Sequence, residues 1–506
     1  MVRNFNDDFE VTWLDPADAD NTWLLDSVHW PLAQPRLSAD ILSILVGIGI
    51  AWDMVWVNGY MYVRRLGPPP PRQEVLDRGP SDIWFNDYQA RVRVATNEIR
   101  DGDYAAMTTE QLAASIPEVA AKAGEALLHT TVVVSQMWAA PNALLDFCDR
   151  EFGEDGPSLA GSIMQGFSNE SSAAGEGMEE VAAEAGRDPE VAEALRQGDF
   201  DFVLDLPETH PFRRRLTEYL AEYGGRLESW SHMHRPTWRE EPRLALKLIA
   251  QQLAAPALST EAAMQRSVDG RERAMQEIKS RLTAEKMAEL NGLLERVNEY
   301  VILSENRAYW QLSLMGSVRA PVAELAGRLS EMGIIEQAED IYYLSQEEVA
   351  AAAADASLRY EDLVRERRAE FEHWASMTAP PYVGAKPGPV AAELERVRRR
   401  FAGTEAMRVD AQTIKGQPAS AGVARGRARV LRSLEESDRV EAGDILVCQM
   451  TSPPWTPLFS ISEQSRITMP LRRLLAPSRL MMQTDPSSDT LTSLTVRAST
   501  RIVAAM

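Results

Sequence analysis

A chain of 506 residues, 45% hydrophobic and 25% charged, has the composition of an ordinary globular protein and the length for two or three domains. Its 75 acidic residues against 53 Lys and Arg leave a net charge of −22, a surface that repels phosphate backbones and excludes nucleic acid as a partner class. Two cysteines, Cys148 and Cys448, make neither a metal spacing nor a disulfide framework, which fits a reducing cytoplasm.

The opening residues, MVRNFNDDFEVTW, are acidic and lack an apolar signal core, so they do not read as a secretory peptide. Asp15-Pro16 with Asp18 starts a short helix, and Ser38 is expected to cap the next, with Asp40 in its first turn. The apolar stretch 41–57 contains Asp53 and falls short of the roughly 20 residues a membrane span needs, so it reads as a buried helix. Trp52, Trp56 and Tyr60 recur every fourth residue, which places them on one helical face. Such a stripe is core in most proteins; the other reading makes it the wall of a pocket for a flat ligand. Asn58-Gly59 marks a turn or strand entry. Pro68 to Pro71 form a rigid spacer, which sets a sub-boundary near 68–72.

Beyond the spacer the chain reads as almost wholly helical to about residue 400. Apolar residues at three- and four-residue spacing mark helices over 83–100, 109–119 and 120–150. A small-residue helix from 168 carries Glu176, Glu179, Glu180 and Glu184 on a solvated face. A helix over 212–223 ends at Gly224-Gly225. Long helices follow over 244–255 and 259–301, the second interrupted near Ala284 or Gly292, and over 305–332. His232 and His234 are two apart and lack the further ligands a zinc site needs, so no metal site is expected. Arg226 and Arg239 carry planar forks suited to a carboxylate or phosphate, with surface ion pairs as the equal alternative. Ser345 with Glu348 is a capping box. The Pro/Gly-rich run 379–389 reads as the clearest interdomain linker.

The C-terminal part changes period. Lys415-Gly416 opens a short strand, and Val423 to Val430 alternates small or apolar residues with arginines, as a half-buried strand does. A turn at Glu441 to Asp444 leads to a second strand, Ile445 to Cys448. Thr451-Ser452-Pro453-Pro454-Trp455 is a stiff loop. After Phe459 the pattern stops. Residues 461–506 hold no His, no Gly and no aromatic residue, and six Arg against three acids. Within them Leu494 to Val496 and Arg501 to Val503 are candidate closing strands.

Three of these runs together resemble the first half of the phosphohistidine swivelling domain of phosphoenolpyruvate-utilising enzymes, the family of pyruvate phosphate dikinase, phosphoenolpyruvate synthase, rifampicin phosphotransferase and phenylphosphate synthase. They are the Lys415 to Gly422 turn, the Gly443 to Val447 strand and the Thr451 to Phe459 loop. Upstream, Glu222 to Arg226, Pro236 to Pro242 and Asp340 to Leu344 are similar to elements of the helical central region in the same family, as is the opening of the chain. The resemblance implies a mostly α, multi-helix N-terminal region followed by a small, incomplete α/β swivelling domain. Its segments are a substrate-binding region over 1–400, a hinge over 401–410, the swivel half over 411–460 and an atypical tail over 461–506.

The activity so implied is phosphoryl transfer through a phosphohistidine. The family's Gly-Gly-x-x-Ser/Thr-His motif is unmatched, and the last histidine is His373. No catalytic residue is therefore assigned. Loss of pattern at one point is expected of a disrupted reading frame, whereas divergence to a non-catalytic role would keep strand periodicity. Thr451, Ser452 and Trp455 are the swivel-loop candidates, and Trp56, Tyr60, Arg226 and Arg239 the acceptor-binding candidates. No Gly-rich phosphate loop occurs, so no cofactor is expected in this chain. ATP and Mg are implied for an intact relative or for a separate nucleotide-grasp subunit, and a small molecule for the acceptor. The alternative is a non-catalytic small-molecule-binding or scaffolding subunit that pairs with a nucleotide-binding chain.

Overall fold

The computed structural model describes residues 9–13, 15–26, 29–50, 52–64, 72–134, 139–167, 170–254, 260–377, 379–389, 408–409, 414–415, 423–431, 433–441, 443–448, 451, 453–455, 458, 467–468 and 491–497. The fold is mostly helical with small sheets. It divides into two compact units, each assembled from three separate segments: 1–136, 229–235 and 310–395 in the first, and 137–228, 236–309 and 396–506 in the second.

In the first unit Asp15 accepts from the Ala17 amide and caps the 3-10 turn Pro16–Asp20, with proline at the first position. Strand β1 (Thr22–Leu25) follows. The helix Arg36–Gly49 starts three residues earlier than expected, from Pro35 in extended backbone, so Ser38 lies buried inside the first turn and is not the cap. This helix ends at Gly49. The stretch 41–57 is therefore not one helix, because its last residues belong to β2 (Met54–Val57).

The expected aromatic helical face is corrected as well. Asn58 and Gly59 have φ of 54° and 78°, the left-handed pair that a two-residue hairpin turn requires. They join β2 to β3 (Tyr60–Val63), pairing Val57 with Tyr60 and Trp56 with Met61. A spacing of four is also a multiple of two, so the repeat could not separate helix from strand; the Asn-Gly turn decides it. Gly59 is further required by contact, since a Cβ there would sit 2.9 Å from the Gln34 carbonyl.

The run 379–389 is not a free linker. Its residues Tyr382–Gly384 form β4, which pairs antiparallel with β1 through Leu24↔Tyr382, Trp23↔Val383 and Thr22↔Gly384. The sheet order is β2-β3-β1-β4. Phe9, Trp23, Leu25, Tyr60, Tyr62 and Val383 share one buried cluster on it. Beside the sheet, helix Arg36–Gly49 packs against helix Thr109–Val134 at close range: a Cβ on Gly124 would lie 2.9 Å from the Leu45 carbonyl. The Ser345–Glu348 capping box is present, with both reciprocal bonds, at the start of helix Gln346–Ala354. The sub-boundary near 68–72 falls almost wholly outside the described residues, as does the hinge over 401–410 except for Arg408–Val409.

The second unit holds helices Ala139–Phe152, Gly156–Ile163, Glu170–Gly186, Pro189–Gln197, Pro211–Tyr223, Pro242–Ala254 and Thr260–Arg281. Local chemistry sets their ends. Asp188 accepts from the Glu190 and Val191 amides, Pro189 is the first helical residue, and Gly198 closes the same helix in the left-handed conformation. The long-helix interruption falls at Leu282-Thr283, after which helix Ala284–Ser317 begins.

Strands β5 (Arg408–Val409) and β6 (Ile414–Lys415) pair with each other. Then β7 (Val423–Leu431), β8 (Ile445–Cys448), β9 (Ile467–Thr468) and β10 (Leu491–Arg497) form a mixed sheet in the order β10-β7-β8-β9. β8 is parallel to both neighbours, and β10 runs antiparallel to β7. Of the two candidate closing strands, Leu494 to Val496 lies in β10, and Arg501 to Val503 lies outside the described residues. Leu431, Leu434, Leu446, Cys448, Trp455 and Leu458 share a single apolar core with residues of the helices Glu170–Gly186, Pro211–Tyr223 and Pro242–Ala254. Among the described residues no helix is long and apolar enough to cross a membrane.

Candidate functional site

The strongest chemical feature lies just past the helix Pro211–Tyr223. Tyr219 and Tyr223 are one turn apart on that helix, with ring centroids 5.3 Å apart. A small residue, Gly177, leaves room for both rings: a Cβ there would stand 3.2 Å from Tyr219 and 3.4 Å from Tyr223. Trp238 stacks on Tyr219 at 6.4 Å, and Tyr309 meets Tyr223 edge-on at 6.2 Å. Burial pushes the Tyr219 phenol well above its ordinary range, so it stays protonated and donates to the Ala174 carbonyl at 3.2 Å. Tyr309 donates to the Glu222 carbonyl at 2.8 Å.

Arg226 enters this aromatic group two residues after the helix cap. Its guanidinium carbon is 5.6 Å from the Tyr223 ring centre and 5.1 Å from that of Tyr309. Its Nε donates to the Tyr223 carbonyl at 3.2 Å. The residue is 4% exposed, and its Nη1 is buried without a hydrogen-bond acceptor.

Arg239 is placed differently. Its amide donates to the Gly224 carbonyl at 2.9 Å, and its guanidinium donates to the Leu220 and Ala221 carbonyls. It thereby adds donors to carbonyls in the last turn of the helix Pro211–Tyr223, where Leu220 already accepts from the Gly224 amide, and complements the negative end of its dipole. The turn that carries it is fixed by Glu240, whose carboxylate accepts from the Thr237 amide at 2.7 Å and the Thr237 hydroxyl at 2.8 Å. The Pro-Thr-Trp-Arg-Glu-Glu-Pro run is thus a capped turn that delivers Trp238 to the aromatic group and Arg239 to a helix end.

The other candidates fall elsewhere. In the first unit the Trp56 indole donates to Ser43 Oγ at 2.8 Å, and Tyr60, 3% exposed, donates to the Trp374 and Met377 carbonyls at 3.0 and 2.9 Å. Trp56 and Tyr60 are not brought together with Arg226 and Arg239 in one unit. In the second unit Thr451 is buried and Trp455 belongs to the apolar core; Ser452 lies outside the described residues. His232 and His234 sit in a turn rather than a strand, with ring centres 6.1 Å apart. Burial, with Arg235 and Arg319 nearby, holds His234 down to about 3. Among the described residues no group of three or more His, Cys, Asp or Glu is placed to hold a metal ion. The sequence reading missed Tyr219, Trp238 and Tyr309. The first of these was findable, because Tyr219 and Tyr223 stand four apart directly before Gly-Gly-Arg.

Residues 128–305 match the family model of the rifampicin phosphotransferase fourth domain. The chain is similar to the chondramide synthase of Chondromyces crocatus, at 23% identity over 498 residues, covering 90% of this chain and 13% of that protein. It is similar to the rifampicin phosphotransferase of Streptomyces sviceus, 31% identical over 283 residues, and to that of Bacillus subtilis, 28% identical over 285. Both of these matches cover 54% of this chain and 31% of the relative. The chain therefore spans under a third of the length of the phosphotransferases it matches.

Proposed function

From its place in the phosphoenolpyruvate-utilising family, carried by the match over residues 128–305 and by the rifampicin phosphotransferase relatives, we propose that this chain is the acceptor-binding portion of a phosphotransferase together with half of a swivelling domain. Such an enzyme divides one transfer into two by way of a phosphohistidine. This chain has no histidine after His373, so it holds the acceptor and does not carry the phosphoryl group. On this reading ATP and Mg act on a nucleotide-grasp domain or subunit outside these residues, in the cytoplasm. The acceptor is a small molecule of the class its relatives' name indicates, and rifampicin is the first to try.

The family match is the observation that supports this reading. Its test uses the full chain. Titration with rifampicin should quench tryptophan fluorescence saturably, and incubation with radiolabelled ATP or phosphoenolpyruvate should leave no acid-labile label on the chain. A purely linear quench removes this acceptor class; acid-labile label removes the non-carrier role.

A second reading, a non-catalytic binding or scaffolding subunit, is favoured by one observation. Trp455 and Leu458 are buried in the same core as helices of the second unit, which suits a β module that stays where it is. Saturable rifampicin binding that no nucleotide-grasp chain converts to phosphorylated product would favour it.

A further inference from the structure

Folded proteins rarely withdraw a guanidinium from water and leave one of its nitrogens without an acceptor, because the group loses its hydration and gains nothing in return. Arg226 is in that position. It is 4% exposed, its Nη1 meets no acceptor, and among the described residues no carboxylate pairs with it. The aromatic faces around it do not supply what is missing. Tyr223 and Tyr309 attract the cation through their ring faces, yet a ring face offers no oxygen to an N–H. The phenol groups of Tyr219 and Tyr309 are turned away, donating to the Ala174 and Glu222 carbonyls.

There is room next to the cation in the chain. A Cβ built on Gly225 would meet nothing nearer than the Arg239 guanidinium carbon at 3.9 Å. Because the Arg239 guanidinium already donates to the carbonyls of Leu220 and Ala221, it contributes positive field to this space.

We propose that Arg226 is an oxyanion-binding residue: one oxygen of a carboxylate or phosphate group on a small ligand accepts from Nη1, and the rings of Tyr223 and Tyr309 shield the pair from water. A charge-assisted bond of this kind is strong because both partners are ionised and the surroundings are apolar. The site takes the anionic end of a ligand, involves no covalent step and stands without the phosphotransferase reading.

The test is equilibrium dialysis of the full chain against radiolabelled inorganic phosphate and, separately, radiolabelled acetate, at constant ionic strength. One saturable site per chain is expected for at least one probe, and the probe that binds tells whether phosphate or carboxylate is preferred. Arg226→Gln should weaken that site about tenfold or more. Arg226→Lys keeps the charge, loses the planar fork and should weaken it to a smaller degree. Circular dichroism establishes that each variant is folded, and Arg226→Lys decides if Arg226→Gln is not. Absence of a saturable site for both probes overturns the proposal, as does a site unchanged in the folded variants. Rifampicin quenching is read on the same samples, so failure of the acceptor reading and failure of this one are separate results.

Discussion

Two aromatic groups, one in each unit, use similar residues to opposite ends. In the first unit Phe9 lies 5.9 Å from Tyr60 and 5.5 Å from Trp374, and both phenols of this cluster have an acceptor: Tyr60 has the Trp374 and Met377 carbonyls, Tyr62 the Pro380 carbonyl at 3.0 Å. In the second unit Tyr219, Tyr223, Trp238 and Tyr309 form a connected ring group, and two of them, Tyr223 and Tyr309, face a guanidinium with one nitrogen unmatched. Aromatic density is the same signal in both. What separates a finished core from a receptive one is polar hydrogen-bonding capacity left over after folding.

The largest test of that contrast removes a ring from the finished core. Tyr60→Ala should cost about 3–5 kcal/mol in urea unfolding, as deletion of a buried aromatic side chain does. A cost below about 1 kcal/mol would return Tyr60 to the ligand-binding candidates. Next comes acid. The unfolded chain takes up a proton at His234 near its ordinary 6.5, and the folded chain refuses it until about 3, because burial and the neighbouring Arg235 and Arg319 disfavour the charged ring. His232 is shifted the same way, by burial first. Stability is thus complete above about pH 6.5 and falls as pH drops, by about 1.4 kcal/mol per pH unit for each histidine that stays neutral. Denaturant midpoints between pH 7 and 5 measure this, and a double His232→Asn, His234→Asn variant should flatten the curve.

A smaller effect isolates the hydroxyl. Tyr60→Phe keeps the ring and should cost about 1–2 kcal/mol, since it leaves two carbonyls with one acceptor site each to fill. The smallest change is expected in the other group. Arg226→Met, in buffer without added oxyanion, should melt within about 1 kcal/mol of the parent or above it, because the cation removed has no carboxylate partner among the described residues and leaves its Nη1 unmatched. A loss of 3 kcal/mol or more, on the scale of about 3–5 for breaking a buried pair, would mean that Arg226 is matched within the fold.

Local chemistry was legible in the sequence wherever it acts over a few residues. The Ser345–Glu348 box, the strand Ile445–Cys448, the end of the helix at Gly224 and the break before Ala284 were all visible there. Residues whose structure is decided by distant partners were not. Tyr382–Gly384 looks like linker until Thr22–Leu24 is beside it, and Ser38 looks like a cap until Pro35 is seen to begin the helix. The candidate site divides along the same line. Arg226 stood out by type, but its setting depends on Tyr309, which is 83 positions further along and gives no local sign of the contact. Arg239 matched the same pattern of residue type and is engaged at a helix end.

The β1–β4 pairing also governs how the polypeptide is made. Thr22–Leu25 emerges early, yet one of its two sheet neighbours is not synthesised until Gly384. At about 5–20 residues per second the ribosome takes roughly 20–70 s to cover that distance. For that time one side of a nascent strand carrying Trp23 and Leu24 has no hydrogen-bonding neighbour, and the first unit cannot close. A chain built this way depends on protection during translation, and its yield should respond to elongation rate and chaperone supply before it responds to any change in the finished fold.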